Sequence, residues 1–305
     1  MNRAAPKTHE DDRRRGFVFG VAAYGLWGVL PIYFKAISSV PAVDIVAHRV
    51  LWSLPFLAML LLIGKDWAKV GRAIRNPRTI GLLTITAILI GGNWLLYVYA
   101  VTSGHILAAS LGYYLNPLAN VLLGRFVLKE RLSRLQWTAV AVAGAGIAAL
   151  AIGALGQLWI SLTLCVSFAL YGLFRKIISV DALAGLAVET GLLFPIAVAW
   201  LTWQAMAGAA IFGTSTSETA LLAMAGIVST TPLLLFTSAA RRIPYSTLGM
   251  LQFLAPTLQF LCAVWLYGEP FTRAHAIAFA AIWTALLLYV IGLVRTSRLT
   301  PTLPE

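Results

Sequence analysis

Leu115-Asn116-Pro117 and Leu254-Ala255-Pro256 stand 139 residues apart, and around them the chain aligns with itself without a gap. At the same offset Leu95-Leu96-Tyr97 falls on Leu234-Leu235-Phe236, Ala100 on Ala239, Glu130 on Glu269, Ser133 on Thr272 and Arg134 on Arg273. The two copies differ in charge. Glu130 sits in the basic run from Arg125 to Arg134, whereas Glu269 sits in a nearly neutral connector. The chain therefore reads as a duplicated unit whose copies face opposite environments, a pattern found in transporters built from inverted repeats.

Composition sets the medium. Hydrophobic residues make up 60% of the chain and charged residues 11%, against about 25% charged in a soluble domain. The charges lie between apolar runs of the length that crosses a bilayer, about 20 residues. Backbone groups in lipid must be satisfied within the segment, so the expected class is an all-α membrane protein. The period-two alternation of a membrane barrel is missing. Ten transmembrane helices are expected near 17–37, 43–63, 80–101, 106–127, 135–153, 156–174, 183–205, 219–238, 246–267 and 274–294. They divide the chain into a cytoplasmic tail (1–15), a first five-helix repeat (16–153), a second (154–295) and a cytoplasmic tail (296–305). The first 15 residues are polar and carry no apolar core or cleavage site, so no removable signal peptide is expected.

The formal charge of +12 raises nucleic acid as a partner, and its distribution argues against it. With the N-terminus inside, every Lys and Arg except Lys35, Arg49 and Arg273 falls in or beside an inner loop or tail. That is the positive-inside pattern of a multi-pass plasma (inner) membrane protein with both termini cytoplasmic. The basic residues then set orientation and meet anionic lipid.

Five spans per repeat is an odd number. The second copy must enter from the other side, giving two inverted five-helix repeats around a site near the midplane. In the fourth span Tyr113, Asn116 and Asn120 share one face. In the ninth the same positions are Gln252, Ala255 and Gln259. Amides facing lipid are costly, so they face either a partner helix or a wet cavity. Pro117, Pro256 and Pro232 (in Ser229-Thr230-Thr231-Pro232) each remove a helical hydrogen bond and are hinge candidates. Asn93 and Tyr97 pair at i, i+4 in the third span, and Trp27 stands mid-bilayer in the first, as core or as a wall of the site. Small residues four apart in the fifth and tenth spans suit a buttress or a dimer seam, so a monomer or weak homodimer is expected.

Arg49 and Glu189 are repeat-equivalent charges, each about 9 Å into its span by the helical rise. They lie at opposite depths, so a direct salt bridge between them is not the simplest arrangement. Arg49 could hold a substrate carboxylate, Glu189 could carry a proton with His48 as its partner, or both could be structural. Asp44 is placed in the outer connector. Cys165, Cys262 and the four histidines show no ligand or nucleophile spacing, and no phosphate-binding Gly-rich loop is present. Neither metal, cofactor nor enzymatic activity is expected.

Several segments resemble the RarD branch of the EamA family, in the drug/metabolite transporter superfamily. They are Trp27-Gly28-Val29-Leu30-Pro31, His48-Arg49 with Trp52-Ser53-Leu54-Pro55, Asn93-Trp94-Leu95-Leu96-Tyr97, Ser110 through Pro117, the Glu130 turn, and Glu189-Thr190 before Pro195. The resemblance covers roughly residues 16 to 295. It implies an inner-membrane permease with a central cavity, and places Trp27, Asn93, Tyr97, Tyr114, Asn116, Tyr171, Gln252 and Gln259 near substrate. The branch is associated with chloramphenicol sensitivity, and relatives export amino acids and other metabolites. The expected function is a secondary transporter of small organic molecules working by alternating access, with protons as a candidate coupling ion. The alternatives are a membrane-embedded enzyme, or a channel or scaffold without carrier activity.

Overall fold

The computed structural model describes residues 9–103, 105–151, 156, 158–266 and 273–299. Glu269 and Thr272, the boundary between the two expected repeats, and most of both expected tails lie outside the described residues.

Twelve α-helices fill the described chain: α1 (His9–Ala36), α2 (Ala42–Gly64), α3 (Trp67–Arg75), α4 (Pro77–Thr102), α5 (Ile106–Phe126), α6 (Arg134–Ala151), α7 (Leu158–Ile177), α8 (Ala182–Met206), α9 (Thr216–Ala240), α10 (Tyr245–Leu251), α11 (Leu254–Leu261) and α12 (Arg273–Leu299). Among the described residues, seven helical stretches are long and apolar enough to cross a membrane. They are α1, α2, α4, α7, α8, α9 and the stretch from Tyr245 to Leu266. The helices α5, α6 and α12 overlie the other three expected spans within a few residues.

Two features depart from the expected outline. The connector after α2 folds into α3. Lys65 takes a left-handed backbone (φ 54°) that ends α2. Two residues on, α3 begins, and it ends at Asn76, whose Oδ1 accepts the N–H groups of Arg78 and Thr79 at 3.1 Å each. With Pro77 at the first helical position, this is a capped start for α4. The second departure is in the ninth span, which is broken. Between α10 and α11 the chain makes a turn at Gln252 and Phe253, and one π-helical turn (Cys262–Leu266) follows α11. Pro256 has no N–H for the Gln252 carbonyl, which instead accepts from Ala255 three residues on, at 3.2 Å. The helices around Pro117 and Pro232 run on without interruption. Of the three expected hinges, only Pro256 lies beside a break.

The helices pack as α2 with α8 and α9, α1 with α9 and α11, α4 with α7 and α8, α5 with α7 and α10, and α6 along α12. Apolar surface gains little by leaving lipid for protein, so close packing and hydrogen bonds must hold the bundle. An aromatic hub does so at its centre. Trp27 lies 5.6 Å from Tyr24, 5.9 Å from Phe168 and 5.7 Å from Phe236, and Phe236 stacks on Tyr171 at 6.3 Å. Such ring pairs contribute about 0.5–1.5 kcal/mol each beyond their area. Glycine permits the tightest seams. A Cβ on Gly28 would come within 2.5 Å of the Leu258 side chain, and one on Gly226 would strike the Trp52 backbone. Gly226→Ala should therefore force α2 and α9 apart at a cost of about 1–3 kcal/mol. A fall in thermal stability in detergent checks this; an unchanged melting temperature would contradict it.

One end of the bundle is tied by polar contacts. Lys176 Nζ donates to the carbonyls of Ala240 (2.8 Å) and Ile243 (2.6 Å), and Arg242 Nε meets Asp12 Oδ1 at 3.1 Å. Arg241 donates to the Val180 carbonyl. Glu130 receives the backbone N–H groups of Tyr245 (2.6 Å) and Ser246 (2.9 Å), so a carboxylate sits on the N-terminus of α10. The other end is held by Tyr33 on the Leu221 carbonyl (2.9 Å) and Ser39 on Glu218 (2.6 Å).

Candidate functional site

Arg49 projects from α2 into the space between α4 and α9. Its Nε donates to Ser229 Oγ at 2.7 Å, and its guanidinium carbon lies 4.5 Å from the centre of the Trp94 ring. Tyr113, Tyr33 and Tyr97 are near enough to interact with it electrostatically. The rings of Tyr97 and Tyr113 meet edge-on at 5.6 Å. The seam beneath is pinned by Ser53, which donates to the Arg49 carbonyl (2.5 Å) and accepts from Thr230 Oγ1 (2.6 Å). This fixes α9 so that Ser229 faces Arg49. Among the described residues no carboxylate lies within ion-pair distance of Arg49, and neither Nη group donates a hydrogen bond. An arginine at membrane depth costs several kcal/mol unless something answers its charge. Stacking on Trp94 contributes about 2 kcal/mol in a desolvated setting, and the Nη groups are left without a hydrogen-bond acceptor among the described residues.

Glu189 of α8 lies elsewhere, as its depth required, and is 1% exposed. Its carboxylate accepts from Thr86 Oγ1 of α4 (2.5 Å) and Tyr171 of α7 (3.4 Å), and Arg175 Nη1 of α7 stands 3.5 Å away. Arg175 is also 1% exposed, and its Nη2 donates to the Ala182 carbonyl at 3.1 Å. Gly185 leaves the gap through which the guanidinium passes, since a Cβ there would overlap Nη1. The sequence reading had counted Arg175 with the inner-boundary cations. It belongs instead to a buried ion pair joining α4, α7 and α8. No spacing signalled it: Arg175 stands two residues before the end of α7, whereas Glu189 lies seven residues into α8.

The other expected site residues separate into groups. Tyr97 and Tyr113 join Arg49. Trp27 and Tyr171 belong to the aromatic hub, and Tyr171 touches Glu189. Asn93 is buried and donates from Nδ2 to the Leu164 carbonyl and Ser167 Oγ of α7, both at 2.9 Å, so it binds helix to helix. Asn120 Nδ2 reaches Gln252 Oε1 at 2.9 Å across α5 and the break after α10. Asn116 is fully buried with neither side-chain polar atom hydrogen-bonded among the described residues. Tyr114 packs on the apolar cluster shared by α5, α6, α10 and α12. His48 stacks on Phe212 of the α8–α9 connector at 5.1 Å, its Nδ1 buried without a hydrogen bond. Asp44 is not in a connector. It lies buried in the first turn of α2, receiving Trp200 Nε1 (2.7 Å) and Gln204 Nε2 (3.3 Å) of α8.

Gln259 has a specific duty. Pro31 cannot donate to the Trp27 carbonyl one turn before it, and Gln259 Nε2 supplies that bond at 3.0 Å. Gln259→Leu should lower stability by about 1 kcal/mol and leave substrate affinity unchanged. Melting temperature and binding measured on one preparation check this; an affinity loss would move Gln259 into the binding site.

Sequence reasoning missed Trp94, Tyr33 and Ser53 at the Arg49 site and Thr86 at the Glu189 site. Ser53 was findable, one turn after Arg49 on the same face. Trp94 was not, because a tryptophan beside Asn93 reads equally as lipid-facing. Among the described residues, no group of three or more His, Cys, Asp or Glu side chains could hold a metal.

Comparison with known proteins supplies the lineage. The EamA-like transporter family matches residues 14–152. An uncharacterized transporter of Vibrio cholerae is 46% identical over 283 residues, covering 92% of this chain and 93% of the relative. Protein RarD of Escherichia coli is 44% identical over 295 residues, covering 94% and 97%. A solved crystal structure shares the fold at a TM-score of 0.73 with 20% sequence identity, covering 92% of this chain and 98% of its own. The chain is a multi-pass membrane protein of the EamA-like transporter family, in the branch of the RarD proteins.

Proposed function

We propose that the chain is a secondary transporter that carries small organic acids or zwitterions, amino acids among them, and amphipathic drugs, by alternating access. The observation that carries this reading is Arg49: a cation at membrane depth, with an aromatic wall, no acid partner among the described residues and its guanidinium fork unspent. A substrate carboxylate would complete the pair, and Trp94, Tyr97 and Tyr113 would cover the apolar part of the molecule. The span assignment adds α5, α6 and α12 to the seven long apolar helices, giving ten.

Helix packing supports the inverted-repeat reading. Under the 139-residue offset the pairs exchange: α1–α9 with α4–α7, α2–α9 with α4–α8, and α1–α11 with α5–α7. The pairs α2–α8, α5–α10 and α6–α12 map onto themselves. Each half would then reproduce the other's arrangement with the membrane sides reversed, which is what swaps the access of a central site. The distribution of basic segments supports a reading with both termini in the cytoplasm of an inner-membrane permease, with export as the proposed working direction and a monomer or weak homodimer as the proposed state.

Counterflow in proteoliposomes tests the reading, with labelled amino acids, aromatic acids and chloramphenicol as probes. Saturable exchange of a carboxylate-bearing probe supports it. Flux that neither saturates nor exchanges would indicate a channel. Proton coupling through Glu189, with His48 as a second candidate, is the accompanying proposal. Glu189→Gln should remove any dependence of exchange on a pH gradient, and unchanged dependence refutes it.

A further inference from the structure

We infer that the Arg49 site selects an aromatic monocarboxylate over a zwitterionic amino acid, which narrows the substrate class proposed above and rests on that reading. A guanidinium can grip a carboxylate along the edge of Nε and one Nη, or across its two Nη groups. In Arg49 the first edge is taken, since Nε donates to Ser229 Oγ at 2.7 Å. A carboxylate gripped by both oxygens must therefore meet Nη1 and Nη2. It then lies in the plane of a guanidinium that the Trp94 ring covers at 4.5 Å. Arg49, Trp94, Tyr33 and Tyr113 are half-buried and Tyr97 is 36% exposed, so they border open space and not a filled core. Tyr33, Tyr97 and Tyr113 are the groups near enough to act on Arg49 electrostatically. The surroundings of the cation are thus aromatic, and another ring packs on such surfaces with a gain beyond its area.

Charge balance decides against the zwitterion. In an amino acid the ammonium stands one carbon from the carboxylate. Seating that carboxylate on Arg49 holds the ammonium close to the guanidinium, and like charges that near repel unless an acid answers them. Among the described residues no Asp or Glu lies within ion-pair distance of Arg49. The two buried acids that flank the region are engaged elsewhere. Asp44 accepts from Trp200 and Gln204 of α8, and Glu189 is paired with Arg175. An amino acid would bring a second cation to a place that already holds one. An aromatic acid brings one anion for one fork and a ring for the aromatic wall.

The experiment is calorimetric titration of the full chain in detergent at neutral pH, with hydrocinnamate, phenylalanine, phenethylamine and hexanoate as ligands. The first three share one skeleton and differ in charge. Hydrocinnamate should bind at least about tenfold more tightly than phenylalanine, and phenethylamine should bind most weakly. Hexanoate, with the same charge and no ring, should bind more weakly than hydrocinnamate. Trp94→Leu should shrink that last gap to less than about twofold, and Trp94→Phe should keep most of it. Arg49→Gln should bring hydrocinnamate down to the level of phenylalanine. Phenylalanine binding as tightly as hydrocinnamate, an unchanged gap to hexanoate in Trp94→Leu, or full hydrocinnamate affinity in Arg49→Gln would each overturn the assignment. A ranking reversed in favour of phenylalanine would still leave a carrier of amino acids, which counterflow tests separately.

Discussion

Arg49→Gln should abolish saturable exchange of a carboxylate-bearing substrate while leaving the protein folded. The substitution removes the charge and the fork but leaves an amide able to reach Ser229, so the α2–α9 seam held by Ser53 and Thr230 stays closed. Losing a charge-assisted pair at this depth should weaken binding by about 3 kcal/mol, roughly a hundredfold in affinity. Arg49→Lys is the sharper version. It keeps the charge and loses the planar fork and its stacking on Trp94, so it should retain weak exchange with a raised half-saturation concentration. Counterflow with matched reconstitution levels reads both. Exchange at the unsubstituted rate in the Gln variant would show that the substrate does not use Arg49, and would end the organic-acid reading.

The Arg175–Glu189 pair should dominate stability. Removing one member strands a buried charge, at a cost of about 3–5 kcal/mol. Arg175→Met or Glu189→Leu alone should therefore lower the melting temperature sharply. The two together should recover most of the loss, because no uncompensated charge remains. Thr86 and Tyr171 would then be left facing an apolar side chain, so recovery should be incomplete. A double variant no better than either single one would show that the pair's geometry matters more than its charge balance.

The helical outline was legible because apolar length is a strong one-dimensional signal. The proposed repeat rests on the 139-residue offset, which carries Leu115, Pro117 and Glu130 onto Leu254, Pro256 and Glu269. The helix α3 escaped because nine residues in a basic connector look like a loop until Val70 and Ala73 are seen docked. The break after α10 was legible only in part, since Pro256 was one of three hinge candidates and the other two leave their helices uninterrupted. Pro117 and Pro256 are aligned by the repeat, yet only the second lies beside an interruption, and the difference comes from packing, which a linear pattern does not carry. At the site, Arg49 was visible as a charge in an apolar run. What surrounds it was not, since Ser229, Trp94 and Tyr113 come from three other helices. The stripe of Asn and Gln residues pointed mostly to seams: Asn93, Asn120, Gln252 and Gln259 all make helix-to-helix hydrogen bonds. In an apolar medium an amide is as useful for holding helices as for holding a substrate.

Pro31 and Gln259 stand 228 positions apart and yet form one heritable unit. The proline opens a carbonyl that the glutamine closes, so neither position is free to drift alone. A descendant that exchanged Pro31 for an ordinary helix former would release Gln259 from selection, and one that lost Gln259 first would carry an open carbonyl until the proline followed. Related chains should therefore keep the two residues together or replace both. A tally of sequences could check that dependence with no protein in hand.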